Sequence, residues 1–80
     1  MNYFKNKTII VTGGSRGIGK TICLEFAKLG ANIIFNYVRN HEEAKNTKQE
    51  ITQYNVNCDY IKCNLNEPSQ INIFFNTIKS

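Results

Sequence analysis

Apolar positions along the chain fall into two alternating rhythms. Thr8-Ile9-Ile10-Val11-Thr12 is a short β-branched run halted by Gly13-Gly14, and it reads as a strand buried on both faces. Past the glycines, Ile18, Ile22, Phe26 and Leu29 recur at helical spacing, and Gly30 supplies a C-terminal stop. Asn32-Ile33-Ile34-Phe35-Asn36-Tyr37 is a second apolar strand. Asn40 is placed to cap a helix from His41 to about Tyr54, with Ala44, Ile51 and Tyr54 on its inner stripe. A third, less apolar strand reads over residues 58–63. Asn66 or Glu67 then caps a last helix with Pro68 in its first turn, where a missing N–H costs nothing. Ile71, Phe75 and Ile78 give that helix its buried face. Strand and helix periods alternate three times, which predicts an α/β domain with a parallel sheet.

Composition narrows the picture. Eighty residues make one small domain with a thin core, and 41% hydrophobic with 20% charged residues suits a globular chain. The net charge of +4 raises nucleic acid as a partner, but the basic residues are scattered from Lys5 and Lys7 through Arg39 to Lys79. No basic run with interleaved aromatics tracks a backbone, so no nucleic-acid partner is expected. Cys23, Cys58 and Cys63 form no CxxC pair, and the lone His41 cannot complete a zinc set. The expectation is three reduced, partly buried thiols and no metal site. No stretch approaches the roughly 20 apolar residues that span a bilayer, and residues 1–7 do not resemble a signal peptide. A cytoplasmic address is expected, or an organelle matrix for a longer precursor.

The informative stretch is Thr12-Gly13-Gly14-Ser15-Arg16-Gly17-Ile18-Gly19-Lys20-Thr21, which joins the first strand to the first helix. At such a turn, backbone N–H groups and the helix dipole together favour a bound phosphate. Glycines are needed because a Cβ would block both the tight turn and the approach of a pyrophosphate. Two patterns overlap here. Gly14-x-x-x-x-Gly19-Lys20-Thr21 matches the phosphate loop of nucleoside triphosphatases, and Thr12-Gly13-x-x-x-Gly17-x-Gly19 is a second glycine pattern over the same residues. Both set the loop between strand and helix, so that context leaves the two open.

The second pattern resembles the short-chain dehydrogenase/reductase family, and the resemblance runs from about Lys5 to Lys79. It takes in Gly30-Ala31-Asn32-Ile33-Ile34, Asn36-Tyr37-x-Arg39-Asn40-x-Glu42-Glu43-Ala44, and Asn64-Leu65 followed by Pro68-Ser69. It implies a Rossmann-type doubly wound parallel sheet, of which residues 1–80 hold the N-terminal half: three strands in the order 3-2-1, and three helices. It also implies cofactor contacts at Gly13, Ser15, Arg16, Gly17, Ile18 and Gly19 of the loop, at Tyr37 and Arg39, and at Asn64 and Leu65. NAD-selective members usually carry an acid where Tyr37 stands, to bind the ribose 2′-hydroxyl. Without that anion, Arg16 and Arg39 are free to meet a 2′-phosphate, so NADP(H) is the preferred cofactor and NAD(H) the alternative. Asn64 stands where the family commonly has an Asp that meets the adenine amino group, and its amide oxygen can still accept.

The resemblance further implies hydride transfer between nicotinamide and a carbonyl/alcohol pair. The family's catalytic Tyr-x-x-x-Lys lies far beyond residue 80, so no catalytic residue is assigned here. Tyr3-Phe4-Lys5-Asn6-Lys7 satisfies that spacing but precedes the first strand, at the end of the sheet away from ligands. Within the family the loop and the Asn-Tyr-x-Arg segment most resemble 3-oxoacyl-[acyl-carrier-protein] reductases of fatty-acid synthesis, with sugar and other alcohol dehydrogenases close behind. The partners implied are a small-molecule or acyl-carrier-protein-linked substrate and further copies of the enzyme, a tetramer in the family. The 80-residue chain alone is expected to be inactive, marginally stable and self-associating, because its first strand is left as an open edge. The rival readings are a phosphate-loop triphosphatase and a non-catalytic remnant.

Overall fold

The computed structural model describes residues 3–14 and 17–79. Strands β1 (Thr8–Val11), β2 (Asn32–Tyr37) and β3 (Cys58–Lys62) alternate with helices α1 (Gly17–Lys28), α2 (His41–Thr52) and α3 (Pro68–Lys79). The sheet is parallel throughout, in the order β1-β2-β3, so β2 is central and β1 pairs on one side only. This is the expected 3-2-1 half of a doubly wound sheet, read from its other edge.

Register assigns the faces. Ile9 pairs with Ile33 and Val11 with Phe35, while Ile33 pairs with Cys58 and Phe35 with Tyr60. Because successive side chains point to opposite faces, these residues share one side of the sheet. There Val11, Ile33, Phe35, Tyr37 and Cys58 are buried with Cys23 and Ala27 of α1 and Ala44 and Ile51 of α2. Ile10, Ile34 and Ile61 occupy the opposite face, and Ile10 is 48% exposed. β1 is therefore not buried on both faces, as its β-branched run suggested. Strand composition records burial in a finished sheet, and among the described residues the second face of β1 has little over it.

α1 also turns differently from its apolar stripe. Ile18 is 80% exposed and Ile22 is exposed as well, whereas Cys23 and Ala27 are fully buried. Gly19, Cys23 and Ala27 follow the same four-residue spacing, one position on. The helix lies so close to the sheet that small residues alone fit between them. A Cβ on Gly19 would collide with the Gly13 carbonyl, and one on Gly14 would stand 2.5 Å from Phe35 Cβ and 2.8 Å from Cys23 Sγ. Phe26 is half-buried and meets Phe4 edge-on, ring centroids 5.2 Å apart. The Phe4 N–H donates to the Leu29 carbonyl at 2.9 Å, which fixes residues 3–7 at the amino-terminal end of the sheet. The spurious Tyr3-to-Lys7 match thus lies away from the glycine loop.

α2 begins as its sequence proposes: Asn40 Oδ1 accepts the Glu43 N–H at 3.0 Å. Its buried stripe is Ala44, Thr47 and Ile51, while Tyr54 lies past the helix end and is exposed, not inward. Glu67 caps α3, since its carbonyl accepts from Gln70 and Ile71, with Pro68 first in the helix. Phe74 is the buried side chain of α3, and Ile71 and Ile78 are half-buried. Phe75 lies outside the described side chains. No helix among the described residues is long and apolar enough to cross a membrane.

Cys23, Cys58 and Cys63 are free and buried. Burial pushes the Cys23 thiol up to about 11 and the Cys58 thiol up to about 12, from an ordinary value of 9.0. A raised acid holds its proton longer when folded. The stability it contributes is complete below about pH 9 and lost as pH rises through the folded value. Denaturant unfolding measured from pH 8 to 12 is expected to show a Cys58→Ala variant losing stability less steeply than the parent, by at most about 1.4 kcal/mol per pH unit.

Candidate functional site: a cleft at the carboxyl ends of the strands

The turns leaving β1, β2 and β3 converge on one cavity of about 690 Å³. Gly13 lines it from the first turn, Asn36, Tyr37, Val38, Arg39 and Asn40 from the second, and Asn64 and Asn66 from the third. Parallel strands bring these turns together because all three chains end at the same edge. Among the described residues none that lines it is acidic, and Arg39 is the cation.

Asn36 holds the three turns in place. Its side chain is 5% exposed; Oδ1 accepts the Gly13 N–H at 2.7 Å, and Nδ2 donates to the Cys63 carbonyl at 2.9 Å. One donor and one acceptor on a short stem let an amide tie β1's loop to the end of β3. A carboxylate has no N–H for the Cys63 carbonyl, and an apolar residue would leave both backbone groups unpaired.

Glycines in the loop serve separate ends. Gly14 and Gly19 admit the close packing described above. Gly13 (φ 70°) and Gly17 (φ 61°) are in the left-handed region, and a Cβ built on either meets nothing within 4 Å. That side of the loop is open, so an anion can come up to the backbone N–H groups at the start of α1. Ser15 and Arg16, both expected contacts, lie outside the described residues.

The other expected site residues separate into those that share the cleft and those that do not. Gly13, Tyr37, Arg39 and Asn64 line it together. Ile18 is exposed beside the loop, and Leu65 is half-buried next to Asn64; neither lines the cavity. Asn64 is part of a tight turn: its N–H donates to Gln70 Oε1 at 2.6 Å, and its Oδ1 accepts the Asn66 N–H at 3.0 Å. One lone pair of that oxygen is thus used within the chain. Tyr37 is 6% exposed, and its hydroxyl lies 2.6 Å from His41 Nδ1. Lys20, the lysine a triphosphatase would aim at phosphate, pairs instead with Glu50 of α2 at 2.5 Å. The Thr21 hydroxyl donates to the Gly17 carbonyl at 3.3 Å.

Sequence reasoning passed over Asn36, Val38, Asn40 and Asn66 as lining residues. Asparagines crowding the strand ends were the available signal, but each reads equally as a loop or cap residue until the strands are aligned.

Residues 7–80 match the family model described as short chain dehydrogenase. The chain is 40% identical over 65 residues to L-rhamnose 1-dehydrogenase (NADP(+)) of Thermoplasma acidophilum, covering 81% of this chain and 26% of that protein. It is 34% identical over 83 aligned positions to an NADPH-dependent aldehyde reductase-like chloroplastic protein of Arabidopsis thaliana, covering 92% of this chain and 31% of that one. A short chain dehydrogenase from Burkholderia cenocepacia, solved in complex with NADP, superposes with a TM-score of 0.90 at 27% identity. That superposition covers 96% of this chain and 31% of the other. The chain therefore spans roughly a quarter to a third of the length of these relatives.

Asn36→Ala removes both bonds that join the turns. It is expected to lower unfolding free energy by about 1–3 kcal/mol in urea titrations, since Gly13 N–H and the Cys63 carbonyl lose their partner.

Proposed function

The chain belongs to the short-chain dehydrogenase family, and we propose that it forms the NADP(H)-binding part of an oxidoreductase acting on a carbonyl/alcohol pair. The observation that carries this reading is the cleft itself. A cavity free of carboxylates, with Arg39 at its lip and the open backbone of Gly13 beside it, suits a dinucleotide bearing an extra phosphate. The fit rests on chemistry the residues supply. Gly13 and Gly17 leave room for the pyrophosphate against the loop, and the start of α1 offers its N–H groups and dipole.

Within this reading Gly13, Ser15, Arg16, Gly17, Ile18 and Gly19 cradle the pyrophosphate. Arg39 pairs with the 2′-phosphate, together with Arg16. Asn64 and Leu65 flank the adenine, Asn64 through the amide hydrogens and the remaining lone pair of its oxygen. Tyr37 serves by what it is not, since an Asp there would repel the 2′-phosphate. When bound, the cofactor supplies the hydride. In this reading the proton donor and acceptor belong to the part of the enzyme that the relatives carry outside the matched region, and residues 1–80 supply cofactor contacts and no catalytic group. NAD(H) remains the weaker ligand.

For the substrate, the loop resemblance supports a 3-oxoacyl thioester on an acyl carrier protein. The names of the relatives above support a sugar or an aldehyde. A carbonyl/alcohol pair as the reacting group is common to all of these. The family's homo-oligomeric assembly is proposed for the whole enzyme. The triphosphatase reading loses its main support, because Lys20 is engaged by Glu50 across α1 and α2.

In the full-length enzyme, Arg39→Ala is expected to cut the NADPH-to-NADH ratio of kcat/KM by roughly ten- to a hundredfold, the value of one charge-assisted contact to phosphate. An unchanged ratio would contradict the assignment of the 2′-phosphate to Arg39.

A further inference from the structure

We propose that His41 is a positioning residue for the ribose end of the ligand: through the Tyr37 hydroxyl it latches the turn that presents Arg39. This inference rests on the cofactor reading above and adds what sets its selectivity. Tyr37 is the last residue of β2 and His41 the first of α2. Val38, Arg39 and Asn40, the whole connection between them, line the cleft.

Four residues apart, the Tyr37 hydroxyl and His41 Nδ1 close to 2.6 Å and bridge the two ends of that turn. The phenol can donate to an unprotonated Nδ1 or accept from Nδ1–H, and either way one hydrogen bond spans the turn. Both rings lie against Tyr60 of β3, at centroid distances of 5.7 Å. Tyr60 in turn stacks on Phe35 and carries the Lys48 ammonium 5.5 Å from its ring centre. The latch is thus seated on the core and not only on the turn it closes. Asn40 adds a second fixed point through its bond to the Glu43 N–H.

Arg39 sits between these two anchors, on an exposed turn of three residues. An arginine on a loose turn must lose backbone freedom as well as side-chain freedom when it grips a phosphate. Fixing the turn beforehand removes the first of these losses. The Tyr37 side chain therefore acts on the protein side of the turn, by holding Arg39 in range. Its influence reaches only ligands with a phosphate at the 2′ position, because the pyrophosphate is held elsewhere, by the glycine loop.

The test is isothermal titration of the full-length protein with adenosine 2′,5′-bisphosphate and with 5′-AMP. Wild type is compared with His41→Phe, Tyr37→Phe, the double variant and His41→Asn, each checked by thermal melting. His41→Phe keeps a ring against Tyr60 but loses the nitrogen. It is expected to weaken the bisphosphate about three- to tenfold and to leave 5′-AMP within about twofold. Tyr37→Phe should give the same change, and the double variant no more than either alone. Asn places an amide, with both an acceptor and a donor, near the position of Nδ1, so His41→Asn should restore the preference. If wild type prefers the bisphosphate and both single variants keep that preference, the latch is overturned while the cofactor reading stands. Equal weakening of both ligands also overturns it, as a general loss of structure. A wild-type protein indifferent to the 2′-phosphate overturns the cofactor reading and the latch with it.

Discussion

A single buried amide determines whether the cleft exists. Asn36 reaches from the end of the central strand to the Gly13 N–H on one side and the Cys63 carbonyl on the other. Both partners are backbone groups at points where the chain leaves the sheet and regular ladder bonding ends. Such groups must find a partner when they are covered, and a side chain with one donor and one acceptor satisfies both. Gly13 lies past the last paired residue of β1, so its N–H has no strand partner and meets Asn36 Oδ1 instead. The Asn36 bond therefore does for the loop what sheet pairing does for β1.

The same loop depends on a second constraint, the distance between α1 and the sheet. Gly14, Gly19, Cys23 and Ala27 form the contact surface, and none has a side chain beyond its γ position. Close approach brings the start of α1, with its unpaired N–H groups, to the mouth of the cleft beside Gly13. A larger residue at Gly19 would push the helix off the Gly13 carbonyl and move those donors away from any phosphate. Core packing and the position of the helix start are thus set by the same few glycines, and a Cβ at Gly14 or Gly19 would disturb both.

On its other side the sheet is far less covered. Ile10, Ile34 and Ile61 lie on the face opposite α1 and α2, and among the described residues β1 pairs on one side only. Ile18 and Ile22 of α1 are exposed as well. Hydrophobic area of this extent weakens a small domain, because the apolar burial it lacks must otherwise offset chain entropy. The strength of the structure is concentrated between the sheet and α1 and α2, where the cleft-forming turns are anchored.

What the sequence determined by itself is the order of elements, the parallel sheet, the strand–loop–helix placement of the glycines, and the cap at Asn40. These follow from local rules: β-branched runs, helical periods, and residues that alone permit a turn. What the tertiary structure decided is which face of each helix turns inward. Two stripes on α1, one of Ile18 and Ile22 and one of Gly19, Cys23 and Ala27, share the same spacing, and size alone favoured the wrong one. Tyr54 misled for a related reason: it continues the α2 period, but the helix ends before reaching it. The convergence of Asn36, Arg39 and Asn64 on one cleft, and the seating of Tyr37 and His41 on Tyr60, required strand register and loop direction. Those are set by contacts between segments more than twenty residues apart in the cleft and by ring packing across the sheet, and no local window of sequence contains them.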